Sequence, residues 1–416
     1  MNSRSPFRVA VVLLIFFVVS LLTNVTGPLV PDVIQSFKLN LTMVAFLPFS
    51  FFAAYALMSV PSGVFVEKWG EKVVLLGAFA LAFAGAFLFC LRPAYSTALL
   101  SLFTIGLGMA AIQVAINPLL RVSGGEEHYA FFAVLAQFVF GAASFLSPLL
   151  YSHFAVALGP DALAEADGLT RWMAEFIPKN LPWIAVYWIF SGIAALMILV
   201  VWAVDFPRVE RQEDERTGAL DTHLLLLRQP VVWLYFVGIF SYVGLEQGLA
   251  NWMSQFLAVQ HGLNPKLDGA AAVSNFWGFM TIGCLFGLVL LKFLDSRKVL
   301  LVFSIVAILS LTLALHGTRE SATIAFSMVG FAISVMWSII FSLALNSIPK
   351  HHGTFSGILC TGIVGGALIP LLIGGVGDQL GLRSALCLLY LPLFYIFSIG
   401  LWAKPLIKNK TVLCEN

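Results

Sequence analysis

Twelve apolar runs, each about as long as a helix that crosses a lipid bilayer, recur along the 416-residue chain. Roughly 20 apolar residues are needed to span the hydrocarbon core, and windows of that length fall at roughly 9–30, 43–66, 73–92, 97–120, 129–152, 183–204, 229–258, 270–293, 298–316, 321–347, 354–377 and 383–405. The runs are continuous, whereas a lipid-facing strand alternates apolar and polar residues over about ten positions, so a β-barrel is excluded. With 60% of residues hydrophobic and 11% charged, the chain also lies outside the range of soluble domains. The expectation is an all-α membrane protein.

The first run, "VAVVLLIFFVVSLL", follows Arg4 and Arg8 as a signal-peptide core would, but no small-residue cleavage site follows it. It is therefore read as the first span. The five cysteines, Cys90, Cys284, Cys360, Cys387 and Cys414, share no spacing that predicts a disulfide framework or a metal site. A net charge of +2 gives no reason to expect a nucleic-acid partner. No nucleophile–base pair, metal-ligand cluster or phosphate-binding loop stands out, so the chain reads as neither an enzyme nor a cofactor protein. The partner it requires is the bilayer, and no obligate protein partner is indicated.

Orientation follows from the basic residues. With the N-terminus on the cytoplasmic side, sixteen fall inside: Arg4, Arg8, Lys68, Lys72, Arg121, Arg208, Arg211, Arg216, Arg228, Lys292, Arg297, Lys298, Lys350, Lys404, Lys408 and Lys410. Seven fall outside: Lys38, Arg92, Arg171, Lys179, Lys266, Arg319 and Arg383. That asymmetry predicts both termini in the cytoplasm.

The stretch between the sixth and seventh spans, "DFPRVERQEDERTGALDTHLLLLRQP", is too polar to enter lipid. It predicts an N-terminal six-helix bundle over 1–205, a cytoplasmic linker over 206–228, and a C-terminal six-helix bundle with a tail over 229–416. A second polar insert, about 153–182, is expected to form a short amphipathic helix on a solvated outer loop.

After the second span comes "GVFVEKWGEK", in which Gly63, Glu67, Lys68, Gly70 and Lys72 set out glycine, acid, base, glycine and base. A small residue lets the helix pack closely on a neighbour, and the charges are expected to hold one conformation as a gate. In the second half, "GLVLLKFLDSRK" keeps Gly287, Asp295, Arg297 and Lys298 at a different spacing, and Gly374 with Asp378 gives a closer echo. Two blocks of six spans with this loop resemble the major facilitator superfamily. The resemblance implies two parallel repeats with substrate at mid-membrane between them.

Polar groups inside the spans carry the functional expectation. A carboxylate at the centre of a membrane helix costs about 2.5–3.5 kcal/mol, so one that persists usually faces a cavity with a partner or a task. Glu246 lies deep in the seventh span. Besides an interhelical hydrogen bond, which an amide could make without the charge, it could exchange a proton or hold sodium. Gln247, Asn251 and Gln255 repeat every four residues and form one polar stripe with Glu246 at its edge. In "GMAAIQVAINPLL" of the fourth span, Gln113 and Asn117 share a face, and Pro118 removes a backbone bond to the Val114 carbonyl. Gln137 and Asn24 are single polar candidates. Asn275 and Trp277 in "SNFWGFM", with Trp337 in "VMWSIIFS", add aromatic faces. Amides that reach hydroxyls beside rings that meet C–H surface suit a neutral polyhydroxyl ligand. No intramembrane lysine or arginine falls in this region, which disfavours an anionic one. The Gly-rich eleventh span with Pro370, "GILCTGIVGGALIPLLIGG", reads as a bendable gate.

"QVAINPLL", "FSYVGLEQGLANW", "IIFSLALNSI" and "GIVGGALIPLLIGGVGDQLG", together with "LMSVPSGVFVEKWGEK", resemble the fucose/proton symporter family, which includes glucose/galactose permeases. The resemblance runs over nearly the whole chain. It implies uptake of a hexose or deoxyhexose such as glucose, galactose or fucose by alternating access, driven by a proton or sodium gradient, in a bacterial inner membrane. The fucose symporters carry an aspartate in the first span where this chain has Gly27, and a glutamate in the fourth where it has Gln113. Glu246 is then the expected coupling group, with Gln113, Asn117, Gln247 and Asn251 on the hydroxyls. A uniporter or a proton-coupled exporter of small organic molecules is the alternative within transport, and a non-transporting sugar sensor the alternative outside it.

Overall fold

A computed structural model describes residues 5–125, 129–159, 162, 167–207 and 220–406. Among the described residues there are eighteen α-helices and no strand. They are α1 (Pro6–Thr23), α2 (Thr26–Phe37), α3 (Leu41–Trp69), α4 (Glu71–Leu91), α5 (Tyr95–Gly124), α6 (Tyr129–Ala157), α7 (Gly168–Ala174), α8 (Ala185–Ala203), α9 (Leu220–Leu227), α10 (Pro230–His261), α11 (Ala270–Phe293), α12 (Ser296–His316), α13 (Arg319–Ile333), α14 (Met336–Leu345), α15 (His352–Thr361), α16 (Gly365–Leu380), α17 (Leu382–Leu386) and α18 (Tyr390–Trp402). Together they give twelve stretches long and apolar enough to cross a membrane, as the hydropathy pattern predicts.

The first crossing departs from the expected 9–30. It runs over Pro6–Phe37 and breaks at Asn24–Val25 between α1 and α2. Pro28 has no N–H to give the Asn24 carbonyl, and Pro31 has none for that of Gly27, so the ladder opens there. Beyond it Leu29, Val30, Val33, Ile34 and Phe37 keep helical spacing, which is why the helix goes on past residue 30. The tenth crossing likewise breaks, between α13 and α14. There the Ser334 hydroxyl donates to the Phe331 carbonyl at 2.7 Å, competing with the helix ladder.

By contacts the chain divides into Met1–Val209 with Ala250–Asn275, and Glu210–Leu249 with Phe276–Asn416. In the first unit α5 packs along α3 and α4, α4 against α8, and α1 against α6. Gly106 and Gly108 make the α5 contacts possible: a Cβ on them would meet Phe51 O of α3 and Ala78 O of α4. In the second unit α12 packs against α13 and α18. Arg297, at the start of α12, donates from Nε to Gly400 O at 3.2 Å and from a terminal nitrogen to Leu401 O at 3.1 Å, a cation at the open end of α18.

The insert at 153–182 is less solvated than expected. Asp167 caps α7 by accepting from Thr170 N at 2.7 Å, and Met173 and Ile177 are buried with Phe154, Leu158 and Ala185. One face of this short helix therefore belongs to the core of the first unit. Of the linker, residues 208–219 lie outside the described residues, and α9 lies within them.

Candidate transport site

Glu246 sits on α10, half-buried. The Tyr242 hydroxyl, one turn earlier, donates to Oε2 at 2.7 Å, and Gln247 Nε2 donates to Oε1 at 3.0 Å. Each carboxylate oxygen thus accepts one bond from a neutral donor on its own helix. Among the described residues no basic side chain pairs with it.

The surroundings within the second unit are aromatic and tightly packed. The Trp337 ring lies 5.9 Å from that of Tyr242 and stacks on Phe341, also at 5.9 Å. Trp277 is buried, and its indole N–H has no partner among the described residues. A buried donor left open costs about 1–3 kcal/mol unless something polar reaches it, which suits a ligand hydroxyl. Cys284 of α11 donates from Sγ to the Ser334 carbonyl at 3.4 Å, beside the break between α13 and α14. The glycines of the eleventh crossing serve close packing here. A Cβ on Gly365 would lie 2.0 Å from Phe240 O and one on Gly362 3.0 Å from Ile239 Cγ2, so α10 and α16 meet backbone to backbone just before Tyr242. Pro370 is buried on α16.

The remaining candidates fall in the first unit. Gln113 and Asn117 lie one turn apart on α5, with Asn117 exposed and its Nδ2 donating to Gln113 O at 3.3 Å. The kink-prone Pro118 stays within a continuous α5. Asn24 is buried at the helix break, and its Nδ2 donates to Ser144 Oγ at 2.9 Å and to Ser20 Oγ at 3.4 Å. It joins α1 to α6. Asn251 is buried, Gln255 half-buried, and Gln137 and Asn275 exposed.

An acidic side chain would have no room at Gly27. A Cβ there would lie 1.9 Å from Ala250 O. In the loop motif Gly63 is buried on α3, Glu67 and Lys68 are exposed, and Gly70 ends α3 at a φ of 82° that favours glycine. Lys68 Nζ lies 5.8 Å over the Trp69 ring, and Lys72 Nζ pairs with Asp205 Oδ1 at 3.4 Å within the same unit.

Three polar residues that the sequence did not single out as site candidates also meet. Tyr151 of α6 donates to Asp32 Oδ2 on α2 at 2.7 Å, and Lys266 Nζ lies 3.9 Å from Asp32 Oδ1. The helical spacing beyond Pro31 was the signal that would have carried Asp32 inside a span.

The sequence matches the Major Facilitator Superfamily over residues 12–369. The chain belongs to that family. It is a multi-pass membrane transporter, as the twelve crossings require, and not an enzyme. A glucose/galactose transporter of Brucella abortus (strain 9-941) is 29% identical over 408 residues, covering 95% of this chain and 93% of that protein. The L-fucose-proton symporter of Escherichia coli K12 is 24% identical over 421 residues, covering 95% and 94%. Among solved structures, FucP in the outward conformation superposes with a TM-score of 0.69 at 21% identity over 97% of this chain and all of that one. An inward-facing, occupied bacterial homologue of the human lysosomal transporter Spinster gives 0.78 at 15% over 95% and 96%. Both solved structures share the fold.

Proposed function

We propose that this family member takes up a monosaccharide, a hexose or deoxyhexose such as glucose, galactose or fucose, by alternating access, coupled to a proton or sodium ion. The single observation that carries the reading is the state of Glu246: a carboxylate within a membrane helix, held by two neutral donors and facing no counter-charge among the described residues. An uncompensated intramembrane charge is costly, and a bound proton or cation removes that cost, so coupling requires that binding of the ion and binding of the sugar stabilise the same conformer. The sugar and the coupled ion follow the relatives, a glucose/galactose transporter and an L-fucose-proton symporter. Gln113, Asn117, Gln247 and Asn251 take the hydroxyls, and Trp277 and Trp337 take the apolar face. The cation is the one accessory species this reading needs. The excess of basic residues on one set of loops supports termini on the cytoplasmic side, and the bacterial relatives support an inner-membrane location.

The test is uptake of labelled monosaccharides into proteoliposomes under separately imposed proton and sodium gradients, for wild type and Glu246→Gln. One gradient is expected to drive accumulation in the wild type, while the variant keeps sugar counterflow and accumulates nothing. Normal accumulation by the variant would overturn the role of Glu246. Accumulation under neither gradient, with counterflow intact, would make the protein a uniporter.

A further inference from the structure

Where the last turn of α6, the start of α7 and the turn Pro265–Gly269 meet, the first unit holds a cleft of about 390 Å³. Small-molecule sites fall over roughly 300–1,000 Å³, so the cleft has room for a compact ligand. His153 and Asp167 face each other in it, with Nε2 3.9 Å from Oδ2. Asp167 Oδ1 already accepts from Thr170 N at 2.7 Å, which leaves Oδ2 as the oxygen turned to the imidazole. The Thr170 hydroxyl is buried, leans toward the same carboxylate, and stops short of a hydrogen bond with any described group. A buried hydroxyl left open is costly unless something polar reaches it. Ser152 adds a second hydroxyl, and Val156 and Leu267 add aliphatic wall. Neither the sugar reading nor the coupling reading uses any of these residues.

The lining selects among ligands. A separation of 3.9 Å is too long for a direct hydrogen bond, yet one oxygen about 2.8 Å from each group can bridge it. That oxygen has to serve a carboxylate, which only accepts, and an imidazole nitrogen beside it. A hydroxyl does so with either tautomer because it donates and accepts at once, whereas an ammonium only donates. A ligand anion is opposed by the Asp167 carboxylate, and among the described residues no lysine or arginine lines the cleft. A metal ion lacks ligands, since among the described residues no three His, Cys, Asp or Glu side chains come together. With the Thr170 and Ser152 hydroxyls as further partners, the cleft suits a compact ligand that carries several hydroxyls on a carbon frame.

We propose that this cleft is a second site for a neutral polyhydroxyl ligand, a monosaccharide, built from residues separate from those of the transport site. The polyhydroxyl class rests on the cleft itself, and the choice of a monosaccharide rests on the uptake reading above. One ligand hydroxyl bridges Asp167 Oδ2 and His153 Nε2, and another meets Thr170. By the asymmetry of basic residues this end of α6 faces away from the cytoplasm, so the site gathers sugar on the side from which uptake begins.

The test is amide hydrogen exchange of the full chain in detergent over residues 150–157 and 168–173, with and without D-galactose, D-glucose or L-fucose. At a few times its Kd, a bound sugar is expected to slow exchange in the wild type about threefold or more. Leu267→Trp fills the cleft from a residue that is 52% exposed, and it should abolish most of that slowing. Thr170→Val should do the same, and Thr170→Ser should restore the slowing. Equal slowing in the wild type and Leu267→Trp would mark a general effect of dissolved sugar and overturn the site. Slowing by ethanolamine and by none of the sugars would assign the cleft to a cation and overturn it as well. Sugar counterflow in proteoliposomes is read separately. Slowing without counterflow would overturn the uptake reading and leave the second site standing, whereas no slowing by any of the three sugars overturns the second site whatever counterflow shows.

Discussion

Asp32 and Glu246 are both carboxylates carried into apolar helices, and they are satisfied in opposite ways. Asp32 has a counter-charge brought from far along the chain, plus one phenol. Glu246 has two neutral donors from its own helix and no counter-charge among the described residues. A compensated charge is at rest until its partner leaves, whereas an uncompensated one gains by taking up a cation. The first arrangement suits a fixed contact, the second a site that loads and unloads.

The largest effect that bears on this contrast is at Gly27, whose closeness to Ala250 of α10 holds α2, the helix of Asp32, in place. Gly27→Leu is expected to lose about 3 kcal/mol or more through overpacking, whereas Gly77→Leu, with nothing within 4 Å of its Cβ, should stay near wild type. Thermal unfolding in detergent compares them, and equal midpoints would remove the close approach from the account. Next in size is the removal of one partner from the charged pair. Lys266→Met should cost about 1–3 kcal/mol, less than a fully buried pair because the lysine is a third exposed, and adding Asp32→Asn should recover most of it. Strict additivity of the two changes would show that the charges do not interact. At the other carboxylate the sign differs. Glu246→Gln strands no cation, so its unfolding midpoint should equal or exceed wild type, and Tyr242→Phe should cost only about 1 kcal/mol for one neutral bond. A Glu246→Gln protein markedly less stable than wild type would point to a basic partner and dissolve the contrast.

The smallest expected effect is at Asp167. Its backbone hydrogen bond from Thr170 holds the carboxyl below the usual aspartate range. A depressed folded value contributes stability above the unfolded value and loses it as pH falls through the folded one. Amide protection over 168–177, the exchange rate relative to that of an unstructured peptide at the same pH, should therefore fall slightly below about pH 4, and less so in Asp167→Asn, which can still cap. Protection in the wild type that does not change with pH would assign the cap to geometry alone.

The sequence made some parts of this molecule legible and hid others for identifiable reasons. Twelve crossings follow from hydropathy, because burying backbone in lipid demands helices about 20 residues long. Glu246 and its stripe were visible because a polar residue among apolar ones is conspicuous at a period near four. Asp32 was hidden because two prolines made the first span look finished before it. The Asn24 amide reads from sequence as a ligand group, and its bonds to Ser20 and Ser144 emerge only when α1 and α6 pack. The Gly-rich eleventh crossing reads as flexible, and in the fold its glycines let α16 touch α10.

By itself, then, the sequence determined the helical class, the number of crossings and the residues able to carry charge in the membrane, since these depend on composition and on periods of a few residues. The tertiary structure decided which carboxylate meets a lysine and which does not, where helices break, and which glycines are contacts. Those outcomes depend on distances between residues far apart in the chain, which packing sets and local pattern does not encode.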